Sequence, residues 1–297
     1  MKETKIDTQD NKDVFREIAA ADAAIGSGTV SRTSAAVMKK PKKKRMYRFV
    51  KRTFDIVSSG LALLVFSWLI LLILLIKSLE DAGHPAYELA ITEAADVDSP
   101  KAKKARRYVN REGKIVDCVL RPRKKRRGEK ISGAVIYSSV RVGKDGKPFK
   151  FYKIRSMCPG ADEMKQTLID AGLNEASPPA FKLRQDPRIT PFGRFLRKTS
   201  LDELPQLWNI FKGDMSVVGP RPPLPGEVER YEEWQKHRLD VKGGLLCLWQ
   251  IQHQRNALTF DEWVKLDLEY IEKRSIWLDL KIIFKGAYMV LFDRSGE

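Results

Sequence analysis

IVSSGLALLVFSWLILLILLI, Ile56–Ile76, is an uncharged run of 21 residues in a chain of 297. As an α-helix it measures roughly 31 Å, about the thickness of a hydrocarbon core. From Leu61 to Ile76 only Ser67 interrupts the apolar residues, so a core helix of a soluble domain accounts for it poorly. It lies too deep in the chain for a signal peptide, and no small-residue cleavage site follows it. The run predicts a membrane helix between Ile56 and Ile76.

Its flanks pose a topological question. Residues 39–52 hold nine Lys or Arg and no acid, whereas Lys77 is followed by Glu80, Asp81, Glu88 and Glu93. Read by the positive-inside rule, this favours a span with a cytoplasmic N-terminus. A span would place everything after residue 77 outside the cell. A re-entrant helix with both ends cytoplasmic avoids that, and it needs a break in mid-helix, for which Ser67-Trp68 is the candidate.

The net charge of +17 is concentrated. Residues 101–130 carry fourteen Lys or Arg against three acids, so the tracts 39–52 and 101–130 together exceed the whole net charge. Anionic lipid and nucleic acid are the two partners such tracts suit. No helix-turn-helix or RNA-binding signature accompanies them, and a neighbouring apolar helix favours the bilayer. Cys118, Cys158 and Cys247 are odd in number and widely spaced, which fits a reducing compartment and neither a disulfide framework nor a zinc site.

Four segments are expected: 1–38, flexible, with a short helix near Asp13–Ala24; 39–80, basic flank and membrane helix; 81–131, a charged insertion; and 132–297, a catalytic domain. Val135–Val142 and Phe149–Ile154 alternate like strands, and Asp145-Gly146 between them reads as a hairpin turn. Period two would set Lys153 and Arg155 on one face of the second strand. From Arg188 the pattern is mainly helical, with loops at Gly219–Gly226 and Lys242–Gly244. The fold class is α+β, mainly helical, with a small β-hairpin and an N-terminal, re-entrant membrane helix.

The chemistry gathers in Arg194–Pro223. Leu204, Leu207, Trp208 and Phe211 recur at helical spacing as a buried stripe. Ser200-x-x-Glu203 has the form of a capping box, and Asp202 could simply complement a helix dipole. Pro205 disturbs that reading, because a start at Ser200 places it where an amide is wanted. A start at Asp202 puts Pro205 in the first turn and leaves both acids at the helix mouth, among backbone amides, Arg194, Arg197 and Lys198. A carboxylate there is expected to stay ionised, and the same surroundings attract phosphate. Asp202 could then accept a phosphoryl group, and Glu203 could hold Mg²⁺ against a diphosphate.

Several ordered motifs extend this reading: Lys51-Arg-Thr-Phe-Asp55, Arg141-Val-Gly143, Phe151-Tyr-Lys-Ile-Arg-Ser-Met157, Asp186-Pro-Arg-Ile-Thr190, Thr199-Ser-Leu-Asp-Glu-Leu-Pro-Gln206, Gly213-Asp-Met-Ser-Val-Val-Gly-Pro-Arg-Pro222 and Trp277-Leu-Asp-Leu-Lys-Ile-Ile283. Together they resemble the bacterial sugar transferases, the polyprenyl-phosphate glycosylphosphotransferases. The resemblance implies transfer of a sugar-1-phosphate from a nucleotide diphosphosugar, with a uridine preference, to polyprenyl (undecaprenyl) phosphate. The product would begin exopolysaccharide, O-antigen or capsule synthesis at the cytoplasmic face of the bacterial inner membrane. It further implies Asp202 as nucleophile, Glu203 as Mg²⁺ ligand, Lys153, Arg155 and Arg197 near the substrate phosphates, and Arg221 beside the nucleotide.

The chain departs from the family pattern at Trp68, where a mid-helix proline is usual, and in the insertion at 81–131. It departs again at Gly133-Ala134 with Ser139, at Gly243-Gly244 and at Gln252-His253-Gln254. An inactive scaffold for polysaccharide assembly and a nucleic-acid-binding membrane protein are the alternative functions, and the intact Asp202-Glu203 pair argues against the first. His84, His237 and His253 lack metal-ligand spacing. Trp234, Trp249, Trp263 and Trp277 suit a core or a membrane interface. Asp214 is a second polar ligand or a structural cap.

Overall fold

The computed structural model describes residues 45–82, 86–93, 106–123, 134–175, 181, 183, 185–252 and 258–292. The expected helix near Asp13–Ala24, the segment 1–38, Lys39–Lys44, His84, His253 and the outer parts of the 101–130 tract lie outside these residues.

Helix α1, Arg45–Ala82, contains the apolar run and continues unbroken through Ser67-Trp68. It contains no proline, and the Ser67 hydroxyl donates to the Leu64 carbonyl at 2.9 Å without interrupting the turn. The break on which a re-entrant hairpin depends is therefore not at that point. Asp55, Ser59, Ile73 and Lys77 recur at helical spacing and are buried, while Leu61, Leu64, Trp68, Leu71 and Leu75 form an exposed stripe. Phe211 packs on Gly60, where an added Cβ would come within 3.3 Å of the ring.

Both ends of α1 are fastened to the rest of the chain. Near its start, Tyr47 Oη and Lys51 Nζ donate to Asp279 Oδ2 at 2.9 and 2.8 Å, and Arg52 donates to the carbonyls of Ile210 and Phe211. Near its end, Lys77 Nζ meets Glu80 Oε2 at 2.6 Å, Asp81 Oδ1 at 3.1 Å and Thr190 Oγ1 at 3.4 Å. Glu80 and Asp81, two of the acids of the C-terminal flank, are thus paired with the buried Lys77.

Strands β1 (Ala86–Glu93), β2 (Arg106–Val109) and β3 (Ile115–Arg123) build an antiparallel sheet in the order β1-β3-β2. This corrects the picture of 81–131 as a polar insertion alone. One face, with Leu89, Ile91, Tyr108, Val116 and Cys118, packs on Leu168, Leu173 and Leu183. Arg107 and Asp117 face each other in register and pair through two bonds of 2.9 and 3.0 Å.

The expected hairpin is present as β4 (Ile136–Val142) and β5 (Pro148–Ile154), paired from Ile136↔Ile154 to Val142↔Pro148. Asp145 and Gly146 take left-handed φ values of 56° and 75°, as its tight turn demands. Helices α2 (Met164–Asp170), α3 (Pro191–Lys198) and α4 (Gln206–Lys212) follow. Thr190 caps α3, its hydroxyl accepting from Gly193 N at 3.0 Å. Gly193 has to be glycine, since a Cβ there would lie 1.8 Å from the Ser156 carbonyl oxygen.

Strand β6 (Ser216–Val218) pairs in parallel with β7 (Gly244–Leu246), so part of the loop expected at Lys242–Gly244 is strand. Short helices α5 (Pro225–Val228) and α6 (Glu233–Lys236) lie between them, so the expected loop at Gly219–Gly226 ends in α5. Helices α7 (Phe260–Lys273) and α8 (Ile276–Phe292) close the chain. Val218, Val264, Leu268, Ile271 and Ile282 form the main core of this part. Trp263 packs beside that core and stacks on Trp249, whereas Trp277 is 82% exposed. The expected α4 stripe is only partly inside: Trp208 is 50% and Phe211 39% exposed, stacked on each other beside α1.

Candidate active site

Asp202 and Glu203 lie in a 3₁₀ turn, Leu201–Glu203, between α3 and α4. Ser200 takes φ 55° and its side chain caps nothing, so the capping-box reading fails. Pro205 sits at the N-cap of α4, where its missing amide is of no consequence. The turn is anchored by α4, whose buried Asn209 holds β5: its Nδ2 donates to Lys150 O at 2.6 Å and its Oδ1 accepts from Tyr152 N at 3.2 Å. Asp214 Oδ2 accepts from Asn209 and Lys212, as a cap for this corner.

The hairpin brings Lys153 to the two acids. Its Nζ lies 2.7 Å from Glu203 Oε1 and 3.4 Å from Asp202 Oδ2. Arg221, beyond β6, places Nη2 3.5 Å from the same Glu203 oxygen. Arg221 is itself gripped through its backbone: Arg238 donates to the Arg221 carbonyl at 3.3 Å and Arg141 to that of Pro222 at 3.1 Å. Arg238 is buried and pairs with buried Asp267 at 2.6 Å. Burial and the nearby Arg221 charge push the Arg141 guanidinium down to about 10.

The two carboxyls titrate in opposite directions. Burial pushes Asp202 above its ordinary value, and the Glu203 charge adds to this, while Lys153 and Arg197 oppose it. The expectation that positive charge alone sets Asp202 is thus corrected. Burial also acts against ionised Glu203, but Lys153 and Arg221 outweigh it and bring the group to about 2.

Four of the expected residues, Lys153, Asp202, Glu203 and Arg221, meet. Arg197 stands close enough to Asp202 to influence its charge, and its Nε donates to Ser156 Oγ at 2.8 Å. Arg194 and Lys198 are exposed on α3. Arg155 does not contact the pair: its Nη2 donates to Asp81 Oδ2 at the end of α1. Sequence reasoning missed Asp81, Asn209 and Arg238. Of these only Asn209 leaves a trace, as a polar residue inside the apolar run Leu207–Phe211. A groove of about 630 Å³ between β2 and the chain after α2, lined by Tyr108, Asn110, Arg111 and Asn174, contains none of the four meeting residues.

Among the described residues no three His, Cys, Asp or Glu side chains gather as a metal site. Mg²⁺ commonly takes one or two carboxylates and completes its shell with water and substrate phosphate, so the Asp202-Glu203 pair is a suitable donor set.

The profile of the bacterial sugar transferase family matches residues 128–293. The chain is 33% identical over 248 residues to the exopolysaccharide production protein ExoY of Rhizobium meliloti, covering 83% of this chain and 87% of that one. It is 48% identical over 168 residues to the galactosyl transferase CpsE of Streptococcus agalactiae, covering 57% of this chain and 37% of CpsE. With the undecaprenyl-phosphate galactose phosphotransferase of Salmonella typhimurium the identity is 47% over 161 residues, 54% of this chain and 34% of that one. The chain thus spans little more than a third of the last two relatives. The matched region contains the hairpin, both carboxylates and Arg221, and the chain belongs to the bacterial sugar transferase family.

Proposed function

We propose that this protein transfers a sugar-1-phosphate from a uridine diphosphosugar to undecaprenyl phosphate through a covalent bond to Asp202. The observation that carries the reading is the pairing of buried Asp202 and half-buried Glu203, held by Lys153 and Arg221. Two cations over two acids suit a diphosphate whose charge shifts during transfer. Relatives named as undecaprenyl-phosphate galactose phosphotransferase and UDP-glucose:undecaprenyl-phosphate glucose-1-phosphate transferase support the substrate class.

In the first step an Asp202 carboxylate oxygen attacks the sugar-bearing phosphorus. The bond from that phosphorus to the bridging oxygen breaks, and nucleoside monophosphate leaves with that oxygen and the electron pair. In the second, an oxygen of the lipid phosphate attacks the same phosphorus, and the Asp202 oxygen–phosphorus bond breaks to restore the carboxylate. Lys153 and Arg221 orient the phosphates and balance their charge. Glu203, kept ionised, would hold Mg²⁺ beside Asp202; bound there, the ion would neutralise diphosphate charge.

The exposed stripe Leu61, Leu64, Trp68, Leu71 and Leu75 would face lipid. Both ends of α1 dock on the catalytic part, which supports a helix with both ends on the cytoplasmic side of the inner membrane. The basic tracts 39–52 and 101–130 would add attraction to anionic headgroups.

Intact-protein mass spectrometry tests the chemistry. With UDP-galactose or UDP-glucose and Mg²⁺ but no lipid acceptor, the protein gains a hexose phosphate, and Asp202→Asn does not. A folded Asp202→Asn protein that still acquires this mass overturns the reading.

A further inference from the structure

Arg155 is a buried arginine with a single anchor. It is 6% exposed, and its Nη2 donates to Asp81 Oδ2, while Nε and Nη1 find no partner among the described residues. Buried N–H groups left unpaired are costly, and a guanidinium is the side chain best shaped to share its donors between a carboxylate and a phosphate. Along the chain it adjoins residues of the candidate site. Lys153, which reaches both acids, lies two residues before it on β5, and Ser156, which receives Arg197 Nε, follows it.

Asp81 is not loose. Lys77, with no exposed surface, donates to Asp81 Oδ1 at 3.1 Å and to Glu80 Oε2 at 2.6 Å. Glu80 is held in turn by Thr190 Oγ1 at 3.0 Å and by the amide of Phe192 at 3.2 Å. Thr190 and Phe192 begin α3, the helix that carries Arg197 and leads to Asp202. The end of α1 therefore grips both the exit of β5 and the start of α3. These three charged residues precede the region matched by the family profile, which begins at residue 128.

We propose that Asp81, at the end of the membrane helix, is a positioning residue for the transfer reaction: it fixes Arg155 so that the other guanidinium donors meet a substrate phosphate oxygen. The membrane helix then builds part of the phosphate site as well as holding the protein at the bilayer. The inference rests on the transferase reading. The phosphate belongs either to the nucleotide sugar or to the lipid acceptor, and the two half-reactions separate these sources.

The experiment uses the full chain in detergent, as Asp81→Asn and as Arg155→Lys. One arm follows formation of the covalent adduct against UDP-galactose or UDP-glucose concentration without acceptor. The other follows discharge of the preformed adduct against undecaprenyl phosphate concentration. In both variants the half-saturating concentration is expected to rise at least tenfold in one arm, with the maximal rate within about threefold of the parent. Asp81→Glu, which keeps the charge, is expected to recover part of the loss. The arm affected identifies the phosphate. Unchanged half-saturation in both arms overturns the proposal, as does a fall in maximal rate alone, which a purely structural role would give. If Asp81→Asn does not fold, Arg155→Lys decides by the same criterion. Absence of any adduct or turnover in the unsubstituted protein is a different outcome and overturns the transferase reading beneath the proposal.

Discussion

Asp55 Oδ1 receives two hydrogen bonds, from the Ser216 hydroxyl and the Val217 amide, each at 3.0 Å. The contact ties α1 to β6, and β6 leads directly to Arg221. Asp55 is buried, and that burial raises its carboxyl pKa even though the Val217 amide, Lys51 and Ser216 favour the ionised form. Asp55→Ala leaves a buried amide and hydroxyl without this acceptor, an expected loss of about 1–3 kcal/mol. Asp55→Asn keeps an oxygen acceptor and should lose less. Thermal or denaturant unfolding of the two variants checks the order, and equal stability of Asp55→Ala and the parent would remove this bond from the account.

Lys153 is the cation shared by Asp202 and Glu203, so its removal should be read in pH as well as in rate. Attack requires ionised Asp202, whose pKa burial already raises and Lys153 holds down. Adduct formation is therefore expected to fall with decreasing pH, beginning above the ordinary carboxylate range. Lys153→Met removes the opposing charge and should move this acid limb to still higher pH while lowering the plateau. Single-turnover mass spectrometry across pH 4–8 measures both, and an acid limb that stays in place contradicts the role given to Lys153.

Glu203 works in the other direction on stability. Its folded pKa of about 2 lies below the ordinary 4.5. The unfolded chain binds the proton first, so Glu203 contributes stability above the unfolded pKa, and this is lost as pH falls from about 4.5 toward 2. Glu203→Gln should flatten that part of the stability profile relative to the parent. Denaturant unfolding in paired buffers tests it, and parallel profiles would show that the carboxylate is not held by Lys153 and Arg221 as described.

The residues that were legible are those whose chemistry is local. The hairpin needed only alternation and Asp145-Gly146, and Asp202 with Glu203 stood out because Pro205 conflicts with an ordinary helix start. The sheet β1–β3 was obscured because Arg107 and Asp117 satisfy each other across strands, so a charged composition hides an apolar face made by Leu89, Ile91 and Cys118. Trp208 and Phe211 follow helical spacing perfectly well, but spacing does not reveal that α1 and not the core lies beside them. The family resemblance assigned Arg155 to the phosphates, and only the fold brings Asp81 to it. The pKa of Asp202 depends on burial, which charge counting along the chain does not register.

The packing of β1–β3 on Leu168, Leu173 and Leu183 gives these strands a structural role. Leu168 is fully buried among Leu173, Leu183 and the sheet, and Leu168→Ala should cost about 2–5 kcal/mol. Deleting 86–123 uncovers the same leucines and should make the chain from α2 to Leu183 sensitive to limited proteolysis. A deletion protein that melts at the parent temperature and resists protease would show that the sheet is dispensable to the fold.

The two ends of α1 make opposite predictions for a spanning and a one-sided helix. Lys51 reaches Asp279 and Lys77 reaches Thr190, so residues 26 positions apart, about 39 Å along a helix, are held by the same catalytic part. A helix crossing the bilayer would separate those ends by a hydrocarbon core, and the buried Lys77 would lose Glu80, Asp81 and Thr190 or carry their domain across with it. Arg48 and Ser78 are exposed at the two ends, while Cys118, Cys158 and Cys247 are buried, so a cysteine at either position gives a specific signal. Arg48→Cys and Ser78→Cys should both react with a membrane-impermeant thiol reagent in inside-out vesicles, and neither should react in intact spheroplasts. Detergent should release the protein where high salt does not, because the Leu61–Leu75 stripe binds by apolar burial that screening leaves intact. Labelling of Ser78→Cys from outside intact spheroplasts, with Arg48→Cys protected there, would establish a crossing helix. It would also remove the proposed site from the side where nucleotide sugars are made.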